Sequence, residues 1–134
     1  MSGEKETYIS QLKSEEPKVR MAGAKALGLM GEDAGEAAPY LAVLLDDIWI
    51  QHSVLWALRQ MKGKLADCVV EISEKLKSPD DFARSAAAEL IGECGRCALP
   101  YLDIVRDLAK NDPSGEIRNY AKESFFKIDP DATL

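Results

Sequence analysis

The chain of 134 residues carries one pattern of apolar and polar positions four times. In each copy, apolar or small residues recur every three or four positions, which is the spacing of a stripe along one face of an α-helix. A polar residue near the start of each stripe serves as the reference residue of its copy. The four reference residues are spaced by 31, 33 and 34 positions: Arg20, Gln51, Arg84 and Arg118. We call the helix predicted around each of them a reference helix. A period this regular predicts four copies of one helical unit.

Shorter apolar stretches precede or separate these copies, at residues 7–12, 37–45, 65–76 and 98–108. They predict a first helix for each copy, so that the chain forms four helical hairpins and no strand. A hairpin of this size cannot bury its apolar face alone, and we therefore expect an all-α fold in which the hairpins stack into a short α-solenoid. The whole chain, 1–134, is expected to be one domain, with approximate repeats at 5–31, 34–63, 64–95 and 98–128.

Helix ends are marked by small polar residues and by glycines. The predicted N-caps of the reference helices are Ser14, Ser78 and Asp112. The predicted C-terminal stops are Gly31, Gly63 and Gly95.

The run Val-Arg-x-x-Ala-x-x-Ala-Leu-Gly-x-x-Gly at residues 19–31 resembles the second helix of a HEAT repeat, and residues 83–95 resemble it too. Ala-Pro-Tyr-Leu at 38–41 and Leu-Pro-Tyr-Leu at 99–102 resemble the first helix. The resemblance covers about residues 5–128 and is strongest to the short HEAT-like repeats that also occur in phycobilin lyases. It implies an alpha-alpha superhelix whose successive repeats are linked by a hydrogen-bonded ladder. The matching ladder residues are Asp112, Arg118, Arg20 and Arg84.

In such solenoids, the resemblance implies, the second helices line a concave surface that binds a partner. The outward positions of the second copy hold Trp49, His52, Trp56 and Arg59, and Phe82 occupies the position of Trp49 in the next copy. Aromatic and arginine side chains on an exposed face are typical of a binding hot spot. We therefore expect a protein-interaction module or scaffold, with the tryptophans as anchors, Phe82 beside Trp49, and His52 and Arg59 as polar contacts. The alternative is that these rings pack between hairpins or over a loop.

Charges along the same surface change sign from one end to the other. The expected basic end holds Lys18 and Lys25, and the expected acidic end holds Glu89, Glu116 and Glu123. Such a gradient either orients an extended peptide or a partner helix, or only solvates the helices.

The composition limits the class of partner. Lys and Arg number 17 against 23 Asp and Glu, which gives a net charge of −6. An acidic chain is a poor match for nucleic acid or an anionic membrane. A nucleic-acid-binding HEAT-like protein remains an alternative because basic residues are available at Lys18, Arg20, Lys25, Arg59 and Arg84. The polar start and the three cysteines predict a cytoplasmic protein without a signal peptide.

Catalysis is not expected, since the sequence holds no nucleotide-binding, nucleophile-elbow or metalloprotease motif. His52 is the only histidine, and the carboxylate offered to it on the same surface is Glu89, one copy away. The resemblance alone raises the alternative of a phycobilin-lyase-like or tetrapyrrole-handling protein. No cofactor and no metal is predicted.

The three cysteines include one Cys-x-x-Cys pair, Cys94 and Cys97, with Cys68 elsewhere. A structural zinc site needs four ligands, and a second pair is missing. Cys94 aligns with Met30 and Met61, which favours a core position over a redox or metal role.

The last hairpin differs from the others because Tyr120, Phe125 and Phe126 are bulky. These rings either plug the end of the solenoid or mark a surface for self-association. The expected state is a monomer or a weak homo-oligomer formed through this hairpin.

Overall fold

The computed structural model describes residues 2–134, and within that range the chain is all-α, without a strand, as predicted. The α-helices are α1 (Ser2–Gln11), α2 (Pro17–Met30), α3 (Ala38–Val43), α4 (Gln51–Gln60), α5 (Val69–Lys75), α6 (Asp81–Ile91), α7 (Leu102–Asn111) and α8 (Gly115–Ile128). Segments of 3₁₀-helix lie at Gly31–Ala37, Leu44–Asp46, Lys62–Cys68 and Gly92–Tyr101. None of the helices in residues 2–134 combines the length and the apolar character needed to cross a bilayer.

The helices of the four reference copies, α2, α4, α6 and α8, share one core position. The side chains at this position are fully buried: Leu27, Leu58, Ile91 and Phe125. The helix α2 packs along α4, α6 packs along α8, and α7 packs against α8. Contacts between α4 and α6 are sparse by comparison. The apolar stripe is therefore buried at this position in all four helices. It is not buried along its whole length, since Ala22, on the stripe of α2, is exposed and Ser53, on that of α4, is half-buried.

Three of the reference helices begin two residues later than predicted. Their N-caps are Glu16, Asp80 and Ser114. The predicted caps instead form the turn before the helix, since each side-chain oxygen accepts a hydrogen bond from the backbone N–H two residues on. In copy three, for example, the Ser78 hydroxyl accepts from the N–H of Asp80 at 3.1 Å, and the Asp80 carboxylate accepts from that of Ala83 at 2.9 Å. The N-cap prediction at Ser14, Ser78 and Asp112 is thus wrong by two residues.

A ladder of side-chain hydrogen bonds joins the reference copies. One contact of 2.9 Å joins each pair of successive copies: Arg20 Nε to Asp47 Oδ2, Gln51 Nε2 to Asp80 Oδ2, and Arg84 Nε to Asp112 Oδ2. Arg84 Nη2 also donates to Asp112 Oδ1 at 3.4 Å. Each reference residue, Arg118 included, also donates to the backbone carbonyl six residues before it, at 2.6–3.0 Å. Gln51 keeps the ladder unbroken because its amide group has two N–H donors.

A left-handed backbone residue follows the first three reference helices at one equivalent position. It is Gly31 in copy one, with φ 61°, and Gly95 in copy three, with φ 60°. In copy two the equivalent residue is Lys62, with φ 27°, so the stop predicted at Gly63 is wrong by one residue. A lysine there crowds its Cβ against the backbone, which glycine avoids.

Replacing Lys62 with glycine is therefore expected to raise the free energy of unfolding by about 0.5–1 kcal/mol. Chemical denaturation of the variant and the parent chain measures this difference. The matched control is Lys62→Ala, which removes the long side chain but keeps Cβ and should leave the stability near that of the parent. A glycine variant no more stable than the alanine variant would show that the backbone here is unstrained.

Candidate functional site

The two tryptophans lie seven residues apart, one just before α4 and one on it. Trp49 lies in the turn before α4 with 67% of its surface exposed, and its backbone N–H donates to Asp47 Oδ1 at 3.1 Å. Trp56 lies on α4 itself and is 39% exposed. One part of the Trp56 ring is covered by α2, where Gly28 leaves the room for it. Trp49 is thus mostly in solvent, and Trp56 is half covered.

The close approach of Trp56 to α2 depends on Gly28. A Cβ at this position would lie 2.8 Å from Trp56 Cε3 and 3.0 Å from Ala57 Cα. The Gly28→Ala substitution is therefore expected to push the indole outward and to cost about 1–3 kcal/mol of stability. In a Trp49→Phe background only Trp56 emits, and its emission should shift to longer wavelength.

The control for this prediction is the same glycine substitution in a Trp56→Ala chain. Without the indole most of the clash is gone, and alanine gains helix propensity over glycine of up to about 1 kcal/mol. The cost of Gly28→Ala should then largely vanish. An equal cost in both backgrounds would mean that the backbone at Ala57, and not the Trp56 ring, opposes a Cβ at Gly28.

His52 and Phe82 form the next part of this surface. Their ring centroids are 4.4 Å apart in an edge-to-face arrangement with an interplanar angle of 63°. His52, on α4, is exposed, and Phe82, on α6, is half-buried. The ring that pairs with Phe82 therefore belongs to His52, where the sequence suggested Trp49. We refer to Trp49, His52, Trp56 and Phe82 as the aromatic surface.

Arg59 is held by an ion pair between α4 and α6. Its Nε and Nη2 donate to the two carboxylate oxygens of Glu89 at 2.8 and 2.7 Å. These hydrogen bonds raise the pKa of the guanidinium. The side chain of Arg59 is nevertheless 48% exposed. The flat face of its guanidinium is therefore open to a partner, while Nε and Nη2 are bonded to Glu89.

A groove of about 320 Å³ opens between α4, α6 and the start of α8, beside the aromatic surface. Leu55, Phe82 and Tyr120 are among its apolar and aromatic lining residues, and Glu89 and Glu116 are among its acidic ones. We call this the α4–α6 groove. Sequence reasoning did not identify Leu55 as a lining residue. It placed Tyr120 among the rings of the last hairpin, whereas the half-buried Tyr120 lines this groove.

The groove lies where two neighbouring reference helices touch least. The helices α2 and α4 meet at Gly28, and α6 and α8 meet at Gly92, where a Cβ would lie 3.0 Å from Ser124 Cα. The equivalent residue of α4 is Arg59. A large charged side chain prevents the close approach that glycine permits, which accounts for the sparse contacts between α4 and α6. The departure from glycine in copy two thus opens the groove.

The charge gradient expected from the sequence falls on accessible side chains. Lys18 and Lys25 are exposed on α2, and Glu116 and Glu123 are exposed on α8. Glu89 is half-buried and already paired with Arg59. The exposed carboxylates of this surface, those of Glu116 and Glu123, therefore lie on α8, while the carboxylate of Glu89 is paired with Arg59 on α4.

Two of the three cysteines are core residues. Cys68 and Cys94 are buried, and both thiols donate to the carbonyl oxygen of Leu65 at 3.3 Å. Burial raises the pKa of each to about 12, which suppresses the nucleophilic thiolate at neutral pH. Cys97 is exposed. Cys94 is thus a core residue, and within residues 2–134 no three His, Cys, Asp or Glu side chains are grouped to hold a metal ion.

Comparison with protein-family models and with curated protein sequences found no match. The geometry of the aromatic surface and the α4–α6 groove is therefore the basis for the function proposed next.

Proposed function

We propose that the chain is a HEAT-like α-solenoid of four helical hairpins that binds a partner protein and catalyses no reaction. The ladder supports the solenoid, because the same hydrogen bonds recur between successive copies at 2.9 Å. Stacked hairpins that contact only their neighbours are the architecture in which such a ladder repeats. The partner binds the face formed by α2, α4, α6 and α8.

The observation that carries the binding role is the exposure of the aromatic surface. An isolated exposed ring is ordinary, but here two indoles, an imidazole and a phenyl ring lie on one turn and two adjacent helices. Trp49 alone is 67% exposed. Burying two large rings on binding supplies the apolar contact that dominates affinity at hot spots, while charged groups around them set orientation.

A peptide-display selection on the intact protein tests this function. Peptides that are enriched would be synthesised and titrated by calorimetry. The Trp49→Ala/Trp56→Ala chain is expected to lose at least about tenfold in affinity, since anchor residues of this type contribute about 2 kcal/mol or more. Trp49→Ala alone should also weaken binding, and it removes little packing because the ring is mostly in solvent.

The matched control is Tyr40→Ala, which removes a ring that is 47% exposed on α3. Its affinity for the selected peptides should equal that of the parent chain. Circular dichroism and thermal unfolding establish that each variant is folded. A folded tryptophan variant that binds as tightly as the parent, or a selection that yields no binding peptide, would refute the proposed function.

A further inference from the structure

We propose that the α4–α6 groove receives an arginine side chain of the partner. This inference rests on the proposed function, because it assigns one contact of the bound partner segment. Three features carry it: a carboxylate without a cationic partner, aromatic walls, and a volume of about 320 Å³. That volume is at the lower end for small-molecule sites and fits one long side chain.

The charges of the groove leave one acidic group uncompensated. Glu89 is neutralised by its two hydrogen bonds to Arg59. Asp81 accepts from Arg84 Nη2 at 2.9 Å. Glu116, in contrast, is exposed and accepts from a neutral donor, the Ser85 hydroxyl, at 3.2 Å. A cation that enters the groove therefore meets a free carboxylate at Glu116.

The apolar walls favour a cation with a long hydrocarbon stem and a flat head. Phe82 and Tyr120 both line the groove and offer aromatic surface, and Leu55 adds an aliphatic contact for the stem. A guanidinium stacks on aromatic rings and donates two parallel hydrogen bonds to one carboxylate. An ammonium provides neither the planar stack nor the fork, so arginine fits better than lysine. A phosphate or an acidic peptide would be repelled by Glu116.

The charge gradient of the whole face agrees with this orientation. The exposed glutamates Glu116 and Glu123 lie on α8, and the exposed lysines Lys18 and Lys25 lie on α2. A partner segment with arginine over α8 and an acidic or neutral end over α2 matches both ends of the face. The bound segment then crosses the aromatic surface between them.

Nuclear magnetic resonance with short peptides of known sequence tests the assignment. The probe is acetyl-Ala-Arg-Ala-amide titrated into the ¹⁵N-labelled full chain. Its citrulline analogue has nearly the same shape without the charge, and its lysine analogue keeps the charge without the fork. The arginine peptide should shift the amide resonances of Phe82, Ser85, Glu116 and Tyr120. Citrulline should bind about tenfold more weakly or worse, and lysine should fall between the two.

Two glutamine substitutions on α8 locate the contact. Glu116→Gln should weaken binding of the arginine peptide by about tenfold. Glu123→Gln removes an exposed carboxylate from the same helix, outside the groove, and should leave the affinity unchanged. Both changes lie on the surface and preserve side-chain length, so folding should be unaffected.

Equal binding of the citrulline peptide, or equal affinity of Glu116→Gln and the parent chain, would overturn the arginine assignment. Shifts confined to residues outside the groove would do the same. If display-selected peptides still depend on Trp49 and Trp56 in that case, only the arginine contact fails. If they lose that dependence, the proposed function fails independently.

Discussion

Replacing Arg84 with alanine is expected to lower the free energy of unfolding by about 3 kcal/mol, because it leaves a buried carboxylate without its cation. The side chain of Asp112 is 2% exposed and that of Arg84 14%. Burial acts to raise the pKa of Asp112, but hydrogen bonds from Arg84 and from the N–H of Ser114, with the charges of Arg84 and Arg118, hold it below its ordinary value. The carboxylate is therefore ionised and depends on the arginine.

The substitution also removes bonds that connect the helices of two copies. Arg84 donates to the Ser78 carbonyl at 3.0 Å within its own copy, and its Nε reaches Asp112 at 2.9 Å in the next. Urea denaturation followed by circular dichroism measures the loss. A decrease in the slope of the transition would further indicate that the two halves of the ladder no longer unfold together.

Lys127→Ala is the matched control, because Lys127 also joins copies three and four through an ion pair. Its Nζ lies 3.0 Å from Glu93 Oε1, but the two side chains are 55% and 46% exposed. An exposed pair contributes about 0–1 kcal/mol. Equal losses for the two substitutions would contradict the structural role given to the ladder.

Replacing Phe125 with alanine is expected to cost about 3–5 kcal/mol, the range for a large ring removed from a core. Phe125 is fully buried in α8. The Arg106 guanidinium lies 5.1 Å from the centre of its ring, and Phe126 meets it edge-on at 5.1 Å. Thermal and urea unfolding of the purified variant measure the cost.

The neighbouring residue supplies the control, since Phe126 is 45% exposed. Phe126→Ala should cost less than about 1 kcal/mol. Ala132 and Leu134 pack against the same core. A large loss for Phe126→Ala and a small one for Phe125→Ala would contradict the burial of Phe125 and the exposure of Phe126.

The best-buried position of each reference helix could be predicted from the sequence, because burial there follows the 3.6-residue period. Leu27, Leu58, Ile91 and Phe125 occupy one position of that period, and all are fully buried. The same argument placed Cys94 in the core, where it lies. Such predictions need only local spacing and no knowledge of how the helices approach one another.

Features that depend on the approach of two helices were harder to predict. The ladder acceptors Asp47 and Asp80 lie four residues before the reference residue of their copy, whereas Asp112 lies six before Arg118. Because this spacing differs between copies, it does not identify the acceptors in the sequence. The residues six positions before Arg20 and Arg84 are Ser14 and Ser78, which resemble helix caps. The α4–α6 groove likewise depends on a separation between helices. Its only signal in the sequence is Arg59 in place of glycine.

The most direct test of the central claim is acrylamide quenching of tryptophan emission with and without a display-selected peptide. Trp49 and Trp56 are the only tryptophans, so the signal comes from the aromatic surface alone. The free protein should be readily quenched. Saturation with peptide should lower the quenching constant and shift the emission to shorter wavelength. Emission that is as accessible in the complex as in the free chain would place the partner elsewhere and contradict the proposed binding face.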